Sequence, residues 1–362
     1  MKLATIQEII DVKPIEGADA VELAFVLGWQ VVVKKGQFKV GDWCVYIQID
    51  TVVPEKPEFE FLRSRDFRVR TIKLRKQLSQ GIIFPMDILP NKYIPANSKL
   101  SDYDVTDILG IKKYEKPNNN PTEPSERMPK NGYRKWIYLF KYNFLYKVFP
   151  KLKSKSRSPF PTDLVPITDE ERIQNVPGIL ESYKNKPFHI SYKLDGSSIT
   201  IIRDKGLFGK PVYRICSRRF ELHDKKNDWY KVFEETDFKV YLERLAEIYN
   251  DKQIIVQGEA IGKFNGNHHN LKKDEIRAFN IYVNGIRLKP LEFYSACKAV
   301  NMPHCPLYNS FYLNHSLSEI LKVSEIPDCI NPSVPAEGLV WRSDDGQISF
   351  KVINNNYLLT EE

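Results

Sequence analysis

The chain has 362 residues and a net charge of +8 at pH 7, and 42% of its residues are hydrophobic and 28% charged. This length predicts two domains, the hydrophobic fraction is sufficient for ordinary packed cores, and the charged fraction is typical of a soluble protein. The longest apolar run, residues 136–149, spans only 14 residues and contains two lysines, which excludes a membrane-spanning helix. The five cysteines include no C-x-x-C pair, so we expect reduced thiols in an intracellular, reducing compartment.

Residues 1–90 are rich in segments typical of β-strands. The segments "VELAFVLGWQVVVKKG" and "GDWCVYIQIDTVVP" are β-branched and aromatic, and each ends at Gly, Pro or Asp. Gly36, Gly41 and Gly81 are expected at turns. Several short strands within 90 residues predict a small OB-like β-barrel.

A cluster of positive charge lies within this region. Residues 63–76 contain seven basic residues and one acidic residue. Residues 67–74 alternate between charged and apolar side chains, which predicts a half-buried strand with one basic face. A concentrated positive face suits a polyanion such as RNA or DNA. The predicted nucleic-acid-binding residues on this face are Arg68, Arg70 and Lys73.

Residues 91–160 have the composition of a connector. Residues 111–160 hold 13 Lys and Arg against 3 Asp and Glu, and the "PNNNPTEPSERMP" tract at 117–129 predicts an extended or flexible segment. The seven aromatic residues of segment 136–149 could stack on bases, but an apolar helix or strand packed on a domain is the favoured interpretation. The basic charge itself is typical of either a nucleic-acid contact or a solvated linker.

Residues 161–362 mix strands such as "FHISYKL" and "QIIVQGEAIG" with helical stretches such as residues 237–250. The predicted fold class is therefore α+β, with domains at 1–90, 91–160 and 161–362. The last of these is expected to contain antiparallel sheets and helices.

The most informative motif is "KLDGSS", residues 193–198, which reads as a strand that carries Lys193 into a tight turn and a second strand. A lysine amine can attack the α-phosphate of a nucleoside triphosphate and release pyrophosphate. Such a lysine must lose its proton, and the triphosphate charge must be neutralised by Mg²⁺ and basic side chains. The motif fixes only three positions and is weak on its own.

The downstream sequence supplies the partners that this chemistry needs. Each has an ordinary alternative, since a glutamate at a strand end is usually exposed and a strand phenylalanine is usually core. Their joint order points to nucleotidyl transfer. They are an arginine pair after a strand, two glutamates at strand ends, an aromatic residue and a late lysine: Arg218-Arg219, Glu259, Glu337, Phe279 and Lys351.

These segments carry a family resemblance. "KLDGSS", "CSRR", "QGEAIG", "RAFNIY", "AEGLVWR" and "SFKVINNNYLL" resemble motifs I, Ia, III, IIIa, IV and V of covalent nucleotidyltransferases, and most of all those of RNA ligases with an N-terminal OB domain. "TDEERIQN", which contains Arg172, is similar to the segment that precedes motif I in that branch. The resemblance implies an α+β nucleotidyltransferase domain after the OB-like barrel, and covers nearly the whole chain except residues 91–160.

The resemblance also implies roles for the nucleotide-binding residues. Lys193 would be the adenylylated nucleophile, and Asp195 and Gly196 would shape the turn on the ribose side of ATP. Arg218 would contact the ribose or the RNA end. Phe279 would stack on adenine.

The same resemblance implies a metal-assisted reaction. Glu259 and Glu337 would hold the waters of a bound Mg²⁺ or Mn²⁺, or the lysine, and Lys351 and Arg172 would bind phosphates. The implied enzyme is an ATP-dependent RNA ligase that joins a 3′-OH to a 5′-phosphate through a lysyl-AMP intermediate. Its expected partner is RNA, duplex or nicked, with an RNA/DNA hybrid as a further option, and the protein is expected to be monomeric and to bind no membrane.

Two positions depart from the family pattern. Arg219 stands where many members have Asn, and Ile353 stands where some have a second lysine after Lys351.

DNA ligases and mRNA-capping guanylyltransferases share the lysine motif, but an OB domain normally follows their motif V, whereas 11 residues follow Lys351 here. A non-catalytic RNA-binding protein with a decayed ligase domain is the alternative from another class. A zinc site is disfavoured, because neither the 268–269 histidine pair nor the 304–305 pair has a second half at zinc spacing.

Overall fold

The structure is a computed structural model that describes residues 2–90, 100–114, 156–206 and 210–360. These residues divide into two units. Unit 1 holds residues 2–90, 100–114, 170–193 and 307–360, and unit 2 holds 156–169, 194–206 and 210–306. The chain thus leaves unit 1 and returns to it twice, and each unit is described separately below.

Residues 2–114 are mainly short strands. The strands are β1 (Ala4–Pro14), β2 (Val21–Val26), β3 (Trp29–Lys34), β4 (Trp43–Ile47), β5 (Thr51–Val52), β6 (Arg68–Val69), β7 (Thr71–Leu74), β8 (Gln77–Gln80), β9 (Ile82–Pro85), β10 (Tyr103–Asp104) and β11 (Lys112–Lys113). The helices are 3-10 helices at Pro57–Arg65 and Met86–Ile88 and the short α1 (Thr106–Leu109).

Residues 156–360 alternate between strands and helices. The strands are β12 (Arg157–Pro159), β13 (Glu171–Arg172), β14 (Pro187–Lys193), β15 (Ser197–Lys205), β16 (Pro211–Cys216), β17 (Phe220–Leu222), β18 (Ile254–Ile261), β19 (Glu275–Val283), β20 (Ile286–Arg287), β21 (Leu307–Tyr312), β22 (Gly338–Ser343) and β23 (Ser349–Ile353). The α-helices are α2 (Ile179–Ser182), α3 (Asp228–Glu235), α4 (Phe238–Ile248), α5 (Pro290–Val300), α6 (Leu317–Val323) and α7 (Asn355–Thr360), and 3-10 helices lie at Ile173–Asn175 and Lys263–Asn265.

The N-terminal module (residues 2–90 and 100–114) is built on an antiparallel sheet of order β3-β2-β1-β4-β9. Strand β1 pairs with β4 through residues 4–8 and with β2 through residues 9–14, and its register shifts between Ile9 and Asp11. Such a bulge bends a strand, so that β1 can pair with β4 through its first half and with β2 through its second half. Gly36, Gly41 and Gly81 all have left-handed φ angles, as expected for turn positions.

Two details of this module differ from the sequence predictions. The stretch 67–74 is two strands, because β6 pairs with β5 whereas β7 changes partner to β8. Residues 100–114, placed in the connector by sequence, pair through β10 with β1 and through β11 with β5, and Val105 is fully buried among the module's core side chains. Segment 136–149 lies outside the described residues, and the boundaries at 90 and 160 stay predictions.

The rest of unit 1 is a five-stranded sheet of order β13-β23-β22-β14-β21, antiparallel except for the β13–β23 pair. Alternate side chains point to opposite faces of a strand, so the "FHISYK" pattern of β14 produces one apolar and one polar face. The apolar face packs against α6 and the segment before β14. Its fully buried members are Phe188, Ile190, Leu339, Trp341, Phe350 and Val352.

The C-terminal helix packs on the N-terminal module. Tyr357 and Leu358 of α7 and Ile353 at the end of β23 are buried together with Val26 and Trp29. The residue that departs from the family pattern, Ile353, is only 3% exposed. A core position of this kind explains why an apolar residue occupies it.

Unit 2 is a seven-stranded antiparallel sheet of order β12-β17-β16-β15-β18-β19-β20. Helices α3, α4 and α5 cover one face of this sheet and form its main core. The Asn227 side chain caps α3 by accepting from the Tyr230 N–H at 3.0 Å. The predicted helix at 237–250 is present as α4, and the predicted α+β class with antiparallel sheets is confirmed. Among the described residues, no helix is long and apolar enough to cross a membrane.

Candidate active site

Lys193 is the last residue of β14 and forms an ion pair with Glu337. Register pairs Lys193 with Gly338, the first residue of β22, and Glu337 directly precedes that glycine. The Lys193 Nζ lies 2.7 Å from the Glu337 Oε1, and the two side chains are 28% and 16% exposed. The nucleophile candidate therefore keeps access to solvent, whereas its carboxylate partner is largely screened.

Lys351 and Arg172 lie on the same face of this sheet as Lys193. Lys351 pairs with Val340 of β22, and Arg172 pairs with Lys351 across the parallel β13–β23 contact. Residues paired in register point to the same side of a sheet, as do residues two apart along one strand. Three cations of the predicted site thus share the polar face of the unit 1 sheet.

A second ion pair on this face was not predicted. The Arg342 Nη2 donates to the Glu170 Oε1 at 3.0 Å, and the Arg342 Nη1 lies 3.4 Å from the Ser191 Oγ. Burial raises the pKa of the Glu170 carboxyl, but the charges of Arg342 and Lys193 outweigh burial, so this pKa lies below its usual range. The acidic run of residues 169–171 was the sequence signal that could have suggested such a partner.

Arg172 is bound to the N-terminal module. Its Nη2 donates to the Asp50 Oδ2 at 2.6 Å, and its guanidinium lies 5.8 Å from the centre of the Trp29 ring. Asp50 is 122 residues away in sequence, which no local pattern could link to Arg172. The candidate phosphate ligand is therefore oriented by a carboxylate of the N-terminal module.

In unit 2, Gly196 allows the turn after Lys193 to approach β18. A Cβ at this position would lie 2.5 Å from the Ala260 carbonyl oxygen and 2.7 Å from the Glu259 Cγ. Register pairs Ser197 with Ala260 and Ser198 with Glu259, which is half-buried. Glycine is thus required for close approach to the strand that carries the predicted metal-binding glutamate.

Two histidines hold Asp195. The His269 Nε2 donates to the Asp195 backbone carbonyl at 3.1 Å, and the His268 Nδ1 lies 4.0 Å from the Asp195 Oδ2. His269 is buried at 2% exposure. These two histidines therefore contact the turn of the lysine motif.

The other predicted residues of unit 2 lie on its sheet and its turns. Phe279 is half-buried on β19 between the buried Ala278 and Asn280, so its ring is accessible in part. Arg218 lies in the turn between β16 and β17 and pairs with Asp169 at 2.6 Å. Both positions are compatible with their predicted contacts.

The predicted nucleic-acid-binding residues have different environments. The Arg68 side chain is 13% exposed, its Nη2 lies 3.6 Å from the Asp50 Oδ1, and its guanidinium lies 3.7 Å from the centre of the Tyr114 ring. Arg70 is half-buried between β6 and β7, whereas Lys73 on β7 is exposed. Lys73 is the member of the set best placed to meet a solvent-borne partner.

The residue types present fit a metal held mainly through water. Within the described ranges, no group of three or more His, Cys, Asp or Glu side chains is arranged to hold a metal ion directly. Mg²⁺ keeps several waters and uses one or two carboxylates together with substrate phosphates. Glu337, directly before β22 of unit 1, and Glu259 on β18 of unit 2 each offer one carboxylate to such a metal within their own unit.

Comparison with known proteins identifies both parts of the chain. The family model for an OB-fold domain matches residues 3–86, and the family model for RNA ligase matches residues 186–353. No curated protein matches the chain. The first family match coincides with the predicted OB-like barrel.

Solved structures of Naegleria gruberi RNA ligase are similar over nearly the full length. A lysine-to-alanine mutant with ATP and Mn is 32% identical, with a TM-score of 0.79, and the match covers 99% of this chain and 98% of that one. The same ligase with PPi is 33% identical, with the same TM-score and coverage. A glutamate-to-alanine mutant with AMP and Mn is 32% identical, also at 0.79 over 99% and 98%. The predicted family is confirmed, and the chain belongs to the RNA ligase family.

Proposed function

We propose that this ligase seals nicks in duplexes that contain RNA, by way of a covalent adenylate on Lys193. The observation that carries the proposal is the partly exposed side chain of Lys193, whose Nζ lies 2.7 Å from the Glu337 carboxylate at the end of β14. The amine must give up a proton before it attacks, and Glu337 lies within hydrogen-bonding distance to accept one.

In the first step, the Lys193 nitrogen bonds to the α-phosphorus of ATP, and the bond from that phosphorus to the bridging oxygen breaks to release pyrophosphate. Lys351 and Arg172, in register on one face of the sheet, bind the phosphates, and Phe279 stacks on the adenine. A divalent metal such as Mg²⁺ or Mn²⁺, held through Glu259 and Glu337, would neutralise triphosphate charge. Asp195 and Gly196 form the turn on the ribose side.

In the second step, an oxygen of the RNA 5′-phosphate attacks the adenylate phosphorus and frees Lys193. In the third, the 3′-OH attacks the activated 5′-phosphate, so that a phosphodiester forms and AMP leaves. Arg218, exposed in the β16–β17 turn, is proposed to contact the RNA end. One chain is proposed to carry out all three steps, and light scattering during size-exclusion chromatography tests this monomeric state.

The adenylate is tested by mass spectrometry. Wild type incubated with ATP and a divalent metal should gain the mass of one AMP, and Lys193→Ala should gain none. Lys186→Ala, an exposed lysine just before β14, is the matched control and should behave as wild type. Absence of an adduct on wild type would contradict catalysis and favour the non-catalytic alternative, whereas a GMP adduct from GTP would favour a capping-type enzyme.

The RNA surface is proposed to include Lys73 and Arg70, which would contact phosphates of the duplex without specifying sequence. Arg68, which faces Asp50, is a weaker candidate for direct contact. Lys73→Glu should weaken sealing of nicked duplexes and leave Lys193 adenylylation unchanged. Lys39→Glu, another exposed lysine of the same module, serves as the control. Equal loss of sealing and adenylylation in Lys73→Glu would refute this surface, and nicks with RNA or DNA templates would define the duplex type.

A further inference from the structure

The carboxylate of Asp50 lies between two arginines of unit 1. It accepts from the Arg172 Nη2 at 2.6 Å through Oδ2, and the Arg68 Nη2 lies 3.6 Å from Oδ1. The Arg172, Arg68 and Asp50 side chains are 14%, 13% and 32% exposed. The three groups carry a net charge of +1, so the carboxylate orients the arginines without cancelling their positive charge.

The position of Asp50 is set by the N-terminal module. Its backbone is left-handed at φ 61°, its N–H donates to the Val69 carbonyl at 2.9 Å, and its carbonyl accepts from the Tyr114 N–H at 2.8 Å. The Tyr114 ring in turn lies under the Arg68 guanidinium. These bonds do not involve Arg172, so the position of the Asp50 backbone does not depend on the contact with Arg172.

The segment that carries Arg172 is bound to the same module at further points. The Gly28 N–H donates to the Gln174 carbonyl at 2.9 Å, and the Trp29 Nε1 donates to the Asn175 Oδ1 at 2.7 Å. A Cβ on Gly28 would lie 2.7 Å from the Gln174 Cα, so the contact needs glycine. The module therefore holds the side chain of Arg172 and the residues two and three positions after it.

Arg172 keeps a donor that this cluster does not satisfy. Its Nη1 is screened from solvent, and no acceptor among the described residues reaches it. Buried donors nearly always have partners, so an orphan of this kind suggests a ligand. A guanidinium has five N–H donors in a planar fork, and an arginine held at one edge by Asp50 can present the other edge to a phosphate.

We propose that Asp50 is a positioning residue that aligns Arg172 with the phosphates of ATP, so that the N-terminal module contributes to adenylylation before any RNA binds. Arg68 supports this carboxylate from its other side. The inference rests on the proposed function, in which Arg172 is a phosphate ligand.

The test compares Asp50→Asn with Asp66→Asn in the full-length chain. Asp66 is an exposed aspartate of the same module that is also left-handed, at φ 50°, so the same substitution is made in the same backbone conformation. Asp50→Asn should lower the rate of adenylylation at limiting ATP by about tenfold, the scale found when a partner that orients a ligand-contacting side chain is removed. Asp66→Asn should match wild type.

Two further measurements separate positioning from general damage. With RNA that is already adenylylated, which bypasses ATP, Asp50→Asn should seal at a rate close to that of wild type. In the Arg172→Ala background, Asp50→Asn should add no further loss, because both changes remove the same contact. Equal loss with both substrates, or losses that multiply in the double variant, would overturn the proposal.

Failure of the inference can be told from failure of the proposed function. If wild type forms no adenylate, the proposed function fails; if it does and Asp50→Asn adenylylates normally, only the role of Asp50 fails. Should Asp50→Asn not fold, Arg68→Gln takes its place. It should slow adenylylation by a smaller factor, and normal adenylylation would again refute the role of this cluster.

Discussion

The two units hold their candidate catalytic residues by different means. In unit 1 the residues are joined by opposite charges, as in the pairs Lys193–Glu337, Arg342–Glu170 and Arg172–Asp50. In unit 2 the turn of the lysine motif is fixed by close contacts of its backbone, with Gly196 against β18 and His269 on the Asp195 carbonyl. A change of charge without a change of shape should therefore impair unit 1, whereas a small change of shape should impair unit 2.

The largest effect is expected from Glu337→Gln, which keeps the shape of the side chain and removes its charge. The amide cannot take a proton from Lys193 or neutralise its charge at 2.7 Å. We expect the rate of lysyl-AMP formation to fall by about 100-fold or more, the scale of losing one electrostatic partner in an active site. Single-turnover assays with labelled ATP measure it. Glu181→Gln, whose side chain is 81% exposed in the same unit, is the control, and a loss of less than twofold in Glu337→Gln would contradict the role of charge in unit 1.

The next largest effect is expected from Gly196→Ala, a change of shape without change of charge. The added methyl would meet the Ala260 carbonyl at 2.5 Å, so the turn that follows Lys193 must shift. A displacement of about 1 Å can cost up to about 100-fold in rate, and we expect a loss between about 10- and 100-fold. Gly178→Ala is the control, since a Cβ there has no atom within 4 Å. Normal adenylylation by Gly196→Ala would show that close approach in unit 2 is not required.

A smaller effect is expected from His269→Ala. This change removes the donor to the partly buried Asp195 carbonyl, so the turn should be less well ordered. Adenylylation should fall by about tenfold or less, and His269→Gln, which can still donate, should recover part of it. His223→Ala, an exposed histidine of unit 2, should have no effect. If His269→Gln is as impaired as His269→Ala, the hydrogen bond is not what positions Asp195.

The local features of the fold could be predicted from sequence, and the long-range ones could not. Alternation in "FHISYK" and the turn residues around Gly196 indicated the strand, the turn and the nucleophile, because these depend on neighbours in the chain. The interleaved course of unit 1 and the Asp50–Arg172 contact depend on residues more than 100 positions apart. The burial of Ile353 against the N-terminal module likewise follows only from the tertiary structure, since the neighbouring sequence does not indicate what an apolar residue at this position would contact.

The smallest effect concerns stability and tests whether the charge pairs of unit 1 also stabilise the fold. Burial raises the pKa of Glu170, but the nearby charges of Arg342 and Lys193 lower it by more than burial raises it. Its folded-state pKa therefore lies below the unfolded value of 4.5. A carboxyl of this kind stabilises the fold above pH 4.5, and its contribution is lost as the pH falls below that value towards the folded pKa. The melting temperature of wild type should therefore exceed that of Glu170→Gln by a few degrees at pH 7, and the gap should narrow on acidification. Glu181→Gln should follow wild type throughout. A gap that is constant with pH would mean that Glu170 acts through packing rather than charge, and would remove this pair from the electrostatic description of unit 1.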